Sequence, residues 1–253
     1  MLPAPTVHYA TGRPHIGRHK DLQQSAKEAR MLIRHWMTKD VITITPETSM
    51  LKANKLMKEH DIRRLPVVDA HMRVVGIVSD RDIKSASPSQ ATTLDMHELY
   101  YLLSELKIKD IMTPNPICIT PVDTVETAAM LMESKDIGGL PVTDEDNRLV
   151  GIITDHDVFK VLLNITGARQ GGTQLAFNVQ DKPGTMRPIF DALRAHHASI
   201  ISILSSNDAE GNGMRHVFVR IRPMEKAEEE QMLEVLKKDF NLIYWAQRKV
   251  HLA

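Results

Sequence analysis

The stretch Val75-Gly76-Ile77-Val78-Ser79-Asp80-Arg81-Asp82 returns further along the chain as Val150-Gly151-Ile152-Ile153-Thr154-Asp155-His156-Asp157. In each, a short apolar run passes a glycine and meets a hydroxyl residue followed by an aspartate at i+3, the pattern of a strand that feeds a helix start. Outward from it, the match keeps one gapless spacing, that from Met37 to Met112. Ile42, Ile44, Thr45 and Pro46 return as Ile117, Ile119, Thr120 and Pro121, and Ala53, Leu56 and Met57 as Ala128, Leu131 and Met132. Leu65-Pro66-Val67 with Asp69 becomes Leu140-Pro141-Val142 with Asp144. The chain contains an internal duplication.

Each copy reads alike. Residues 41–45 predict a strand ended by Pro46, and Ala53, Leu56, Met57 and His60 follow the i, i+3, i+4, i+7 spacing of an amphipathic helix. Residues 65–68 and 74–78, joined by a polar turn, predict a hairpin, and a second helix begins near Ser79. A β-α-β-β-α unit of about 50 residues has little core of its own, so the two copies are expected to pack together.

This order of motifs strongly resembles the cystathionine-β-synthase (CBS) domain, and the tandem pair resembles a Bateman module, over residues 36–160. In CBS proteins the Ser/Thr-x-x-Asp ends hold the ribose of adenine nucleotides, so the resemblance assigns Ser79 and Asp82, and Thr154 and Asp157, to that role. An aspartate can accept two hydrogen bonds from a cis-diol, and the preceding glycine is expected to leave the approach uncluttered. Arg63 and Arg64, replaced in copy two by Gly138 and Gly139, match basic residues that touch phosphate in AMP-sensing CBS proteins. Carried over, they share a cleft with Thr154 and Asp157, while the cleft of Ser79 and Asp82 lacks that counter-charge. The resemblance adds Ile42 and Ile117 to the nucleotide-binding set. It implies AMP, ADP, ATP or S-adenosylmethionine as regulatory ligand, with no obligatory cofactor. The residues alone leave a second role open, because Ser/Thr-x-x-Asp is also a helix capping box.

Between the copies, residues 85–91 read as a loop, and Leu99, Leu102, Leu103 and Leu106 with Tyr100 and Tyr101 predict a connector helix over 95–106. This connector resembles that of acetoin-utilisation AcuB-like proteins. Beyond Gly171-Gly172 the pattern changes. Strands at 175–179, 200–204, 217–221 and 242–245 interleave with helices carrying Met186, Ile189, Phe190 and Leu193, and Leu233, Leu236 and Phe240, which is a ferredoxin-like βαββαβ plan. The turn Asp181-Lys182-Pro183-Gly184-Thr185 resembles the D-x-P-G signature of ACT domains. That implies an amino acid at Asp181, Pro183, Gly184 and Thr185, usually across a dimer interface, with a purely dimerising role as the alternative. The expected fold class is thus mixed α+β and α/β: an N-terminal extension over 1–30, largely disordered with a short helix near 21–33, CBS domain 1 over 31–84, the connector over 85–108, CBS domain 2 over 109–165 and the ACT domain over 172–250.

Composition narrows the function. Thirty-two Lys and Arg balance 32 Asp and Glu, so no bulk charge holds the chain on nucleic acid or anionic lipid. Two Trp, four Tyr and five Phe are too few for a stacking platform. The single cysteine, Cys118, excludes an intramolecular disulfide and reads as a buried structural thiol in a cytoplasmic protein. No phosphate-binding loop, serine-hydrolase elbow or His-Glu-x-x-His motif is present, and His97-Glu98 lacks a second histidine. No metal site, membrane or nucleic-acid partner is expected. Together these imply a non-catalytic regulatory sensor, a homodimer or higher homo-oligomer that acts on a metabolic pathway such as acetoin utilisation. The alternatives are an interaction scaffold for a partner enzyme with vestigial clefts, and amino-acid sensing by the ACT domain.

Overall fold

The structure, a computed structural model, describes residues 31–87, 105–207, 212–247 and 250–252. The expected N-terminal extension and most of the connector helix lie outside those residues. The chain divides into two compact units, one up to Ile152 and the other from Ile153 onward.

In the first unit, α1 (Met50–Glu59) starts where the Ser49 hydroxyl accepts the Lys52 N–H at 3.3 Å. It buries Met50, Ala53 and Met57 along one face. Strands β1 (Arg64–Val68) and β2 (Val74–Ser79) form the predicted antiparallel hairpin, with Leu65 opposite Val78 and Val67 opposite Gly76, and α2 (Asp80–Ala86) follows directly. Copy two repeats the plan. After β3 (Thr113–Pro114), the helix α3 (Val125–Lys135) buries Val125, Ala128 and Met132, and β4 (Gly139–Thr143) pairs with β5 (Leu149–Thr154), which runs into α4 (Asp155–Ile165). The strand expected at 41–45 is reduced to one parallel bridge, Ile44 with Val67, and Ile119 makes the same single bridge with Val142. Pro46 and Pro121 follow so closely that a ladder has no room to extend. Residues 33–35, placed near the end of an expected helix, form one 3-10 turn.

The copies exchange their leading segments. Residues before copy two pair with copy one: β3 adds to β2, the Met50 N–H donates to Leu106 O at 2.8 Å and the Ile108 N–H to Thr48 O at 2.9 Å. Residues before copy one pair with copy two in return: the Val125 N–H donates to Met31 O at 2.8 Å, the Ile33 N–H to Asp123 O at 3.0 Å, and Thr38 bridges Ile152. The hairpins meet at Arg73 and Arg148, equivalent positions of the repeat, where Val74 N–H donates to Asn147 O and Leu149 N–H to Met72 O. Every one of these contacts has its counterpart in the other copy, so the two are related by a local two-fold. Ile108, fully buried, belongs to the core of copy one with Ile44, Met50, Leu65, Val67, Val78 and Ile83.

The second unit contains a five-stranded antiparallel sheet in the order β10-β9-β6-β8-β7, built from β6 (Thr173–Gln180), β7 (Ile200–Asn207), β8 (Met214–Ile221), β9 (Leu242–Ala246) and β10 (Val250–Leu252). With α5 (Arg187–Ala195) after β6 and α6 (Lys226–Asp239) after β8, the first four strands follow the βαββαβ order, and β10 is an addition at the β9 edge. Leu175, Phe177, Ile189, Leu193, Val217, Val219, Met232 and Leu236 form its core. The buried Glu229 carboxylate accepts the Thr173 hydroxyl and the Gln247 amide, so no acceptor is left bare on that oxygen pair.

Because Ile108 fills the core of a copy it does not belong to in sequence, Ile108→Ala is expected to destabilise copy one by about 2–5 kcal/mol, and Ile108→Val by about 0.5–1.5 kcal/mol. Denaturant unfolding followed by circular dichroism measures both. Equal midpoints for Ile108→Ala and the parent would mean the exchanged segment carries no core.

Candidate functional site

The two Ser/Thr-x-x-Asp ends adopt nearly the same geometry. In copy one, Asp82 Oδ2 accepts the Ser79 N–H and the Ser79 hydroxyl, both at 2.7 Å, while Ser79 Oγ accepts the Asp82 N–H at 3.2 Å. In copy two, Asp157 Oδ2 accepts the Thr154 N–H at 3.0 Å and the Thr154 hydroxyl at 2.8 Å. Both are capping boxes, so the structural role weighed from sequence is present. The cap uses one oxygen of each carboxylate and fixes the direction of the other. Asp157 is buried, whereas Asp82 is half-buried.

The glycine ahead of each motif lies against the other copy's leading segment. A Cβ on Gly76 would lie 2.4 Å from Met112 Sδ, and one on Gly151 would lie 2.6 Å from Met37 Sδ. The missing side chain makes room for the methionine that leads the other copy.

Arg63 and Arg64 sit at the start of the copy-one hairpin. Arg64 is the register partner of Ser79, and Arg63 O accepts the Asp80 N–H at 2.9 Å. The Asp80 carboxyl is held below the usual carboxylate range, chiefly by its hydrogen bond from Lys84, with the nearby charges of Lys84 and Arg63 contributing. The basic pair thus stands beside the motif of its own copy. Arg63, Arg64, Ser79 and Asp82 belong to the first unit, and Thr154 and Asp157 to the second. Ile42 is half-buried against the copy-one core, while Ile117 is 39% exposed.

Two relevant residues were not legible as such. Lys160 donates from Nζ to Asp157 Oδ1 at 3.0 Å. Its signal was the i, i+3 spacing from Asp157, absent from copy one, where Ser85 stands in the equivalent place. Arg215 on β8 pairs with Asp181 at 2.9 Å. A lone arginine in a strand carries no sequence signal of its partner across the sheet.

Asp181, Pro183, Gly184 and Thr185 line a cavity of about 550 Å³ with Lys182, Met186, Phe190 and Arg215. Gly184 has φ +86, and Thr185 Oγ1 donates to Gln180 O and Lys182 O at 2.9 Å. Arg215 Nε is buried without a hydrogen-bond partner among the described residues. The cavity thus offers guanidinium and carboxylate groups beside an apolar wall.

Among the described residues no group of three potential ligands could hold a metal ion, and no helix is long and apolar enough to cross a membrane. Cys118 is half-buried with its thiol toward Pro116 O at 3.5 Å, and it lies outside any strand.

Paired hairpins with duplicated, capped aspartates define a tandem two-copy module, and comparison with known proteins gives the family. The CBS domain profile matches residues 33–89 and 108–164. A CBS domain-containing protein of Dictyostelium discoideum is 34% identical over 136 residues, covering 54% of this chain and 94% of that protein. This chain belongs to the CBS-domain proteins. It is also 37% identical over 146 residues to an inosine-5'-monophosphate dehydrogenase of Korarchaeum cryptofilum, covering 57% of this chain but only 27% of the enzyme. Among solved structures, Arabidopsis thaliana CBSX2 in complex with AMP is 32% identical, covering 53% of this chain and 98% of that one with a TM-score of 0.44. The acetoin utilization protein AcuB of Vibrio cholerae is 29% identical, covering 55% and 95%, with a TM-score of 0.46.

Burial pushes the Cys118 thiol above its ordinary value, which lowers its thiolate fraction at neutral pH. Native protein at pH 7 is expected to react with iodoacetamide more slowly than the same chain in denaturant, with the native rate rising as pH is raised. Equal rates in the two states would show that Cys118 is neither shielded nor shifted.

Proposed function

We propose that this CBS-domain protein is a non-catalytic regulatory sensor of adenosyl ligands: AMP, ADP, ATP or S-adenosylmethionine. The observation that carries the reading is the duplicated aspartate whose one oxygen is locked by the cap and whose other oxygen is thereby aimed. A carboxylate held this way accepts a ribose cis-diol without paying to orient itself. Thr154 and Asp157 supply this acceptor in copy two, Ser79 and Asp82 in copy one. Arg63 and Arg64 neutralise phosphate, for which the guanidinium fork is suited, and Ile42 and Ile117 contribute apolar contact to the nucleotide.

The sensor works by population shift. A ligand that prefers one arrangement of a homodimer changes the population of that arrangement by its differential affinity, and the C-terminal ferredoxin-like unit, which we read as an ACT domain, relays the change. The exposed Phe159, Leu162 and Leu163 on α4 support self-association, since clustered large apolar side chains on a surface mark contact sites. The setting we propose is cytoplasmic, with a metabolic enzyme as the regulated partner.

Two hydrogen bonds from a diol at about 1.5 kcal/mol each make Asp157→Ala cost on the order of 100-fold in affinity. Isothermal calorimetry with the four ligands measures this. Asp157→Asn keeps an acceptor for the cap and separates binding from folding. Micromolar binding lost in both variants is the expected result. Destabilised variants with undiminished affinity would reduce the motif to a cap, and no binding by the parent would favour a scaffold for a partner enzyme.

The cavity at Asp181 to Thr185 favours a second ligand there, a free amino acid whose carboxylate meets Arg215 and whose ammonium meets Asp181. Charge-assisted hydrogen bonds of about 1.5–3 kcal/mol predict a loss of about 10–100-fold in Arg215→Gln. Thermal-shift screening of the twenty amino acids against parent and variant tests it. A shift that survives the substitution would place the ligand elsewhere.

A further inference from the structure

Both oxygens of the Asp157 carboxylate are engaged. Its side chain is only 6% exposed; Oδ2 serves the Thr154 cap, and Oδ1 accepts from the Lys160 ammonium at 3.0 Å. Lys160 itself is 42% exposed on the outer side of the pair, so its amine reaches in from solvent. Copy one lacks this ion pair. Asp82 Oδ2 serves the Ser79 cap in the same way, but Oδ1 has no partner among the described residues. The position equivalent to Lys160 is Ser85, exposed and without an amine, and Lys84 is turned away to Asp80 at 2.9 Å. The cap is common to both copies; the lysine is not, so capping does not account for it.

We infer that Lys160 is an internal competitor for the diol acceptor on Asp157, so that an adenosyl ligand takes Oδ1 only by displacing the Lys160 ammonium. The inference rests on the adenosyl-ligand reading above and specifies how its copy-two acceptor is regulated. Asp157 is thereby kept paired when no ligand is bound, which avoids a bare buried charge, at the expense of affinity. Two consequences follow from the physics of the pair. Neutralising position 160 frees the acceptor. Salt, which weakens a partly exposed ion pair, frees it also, so an uncharged ligand binds more tightly as ionic strength rises. A lysine that merely braces the helix moves neither quantity.

The test uses full-length protein carrying Asp82→Ala, which removes the copy-one acceptor, and adenosine, which has the diol and no phosphate. Calorimetry at low and high sodium chloride is expected to show Lys160→Met binding adenosine about threefold to tenfold more tightly than its parent at low salt, with the salt dependence lost. Lys160→Arg, which keeps the charge, is expected to stay within about twofold of the parent. Unchanged or weaker binding in Lys160→Met would overturn the competition and leave the nucleotide reading in place. Absence of binding by every variant, with AMP binding by the unmodified protein insensitive to Asp157→Ala, would overturn both.

Discussion

The exchange of leading segments between the two copies is the constraint on which the first unit depends. A β-α-β-β-α unit leaves one side of its short sheet and the start of its first helix open. Each copy closes the other's gap: Leu106 and Ile108 complete copy one, and Met31 and Ile33 complete copy two. The closure also dictates sequence at a distance. A side chain at Gly76 would displace Met112 from its place, and one at Gly151 would displace Met37. Neither copy could keep this packing alone, since the atoms that fill it come from the far side of the duplication.

The same economy governs the candidate ligand motif. A hydroxyl and an aspartate satisfy the orphan N–H groups at the helix start, and the rigidity this gives the carboxylate is what makes it a good acceptor. Capping and recognition are two uses of one arrangement. The remaining carboxylate oxygen separates them, because the cap has no need of it. In copy two that oxygen is matched by Lys160, and in copy one nothing described matches it. Exact duplication would have made the two motifs equivalent. Divergence around the motif, including Arg63-Arg64 against Gly138-Gly139 and Ser85 against Lys160, makes them different in charge while leaving the cap intact.

The repeat made most of the fold legible, since two copies of one pattern vote for the same elements. Both hairpins and both long helices of the pair fall where the apolar spacing put them. The strands at 41–45 and 116–120 did not form, because β-branched composition registers as a strand even when prolines leave room for a single bridge. In the C-terminal unit the alternation of apolar runs gave the strand order, but β10 is too short to carry a period. Within the site, both Ser/Thr-x-x-Asp ends take the capping-box geometry that the residues alone allow. Residues that matter through a partner, Lys160 and Arg215, have no motif, and only the distance to Asp157 or Asp181 identifies them. A glycine announces a close approach but not what approaches, and Met112 and Met37 are not legible from Gly76 and Gly151.

The basic pair shows how far such reasoning can be carried. Copy one has Arg63-Arg64 where copy two has Gly138-Gly139, and the backbone of Arg63 is tied to Asp80 at the entry to α2. Copy one therefore combines two guanidinium groups with an aspartate whose second oxygen has no described partner, whereas the copy-two aspartate carries an ammonium ion of its own. The cations of the two copies are placed differently: Arg63 stands near Asp80, and Lys160 pairs with Asp157 itself. Arg63 is held by a strand end, while Lys160 is held only by its own flexible stem and can leave. Asp157 is buried, so the competition proposed above requires the ligand to take the place of Lys160 as it leaves, which the flexible stem allows without moving backbone. A sensor needs at least one element with two states of nearly equal energy. Under the competition proposed above, the Lys160 side chain is such an element in copy two.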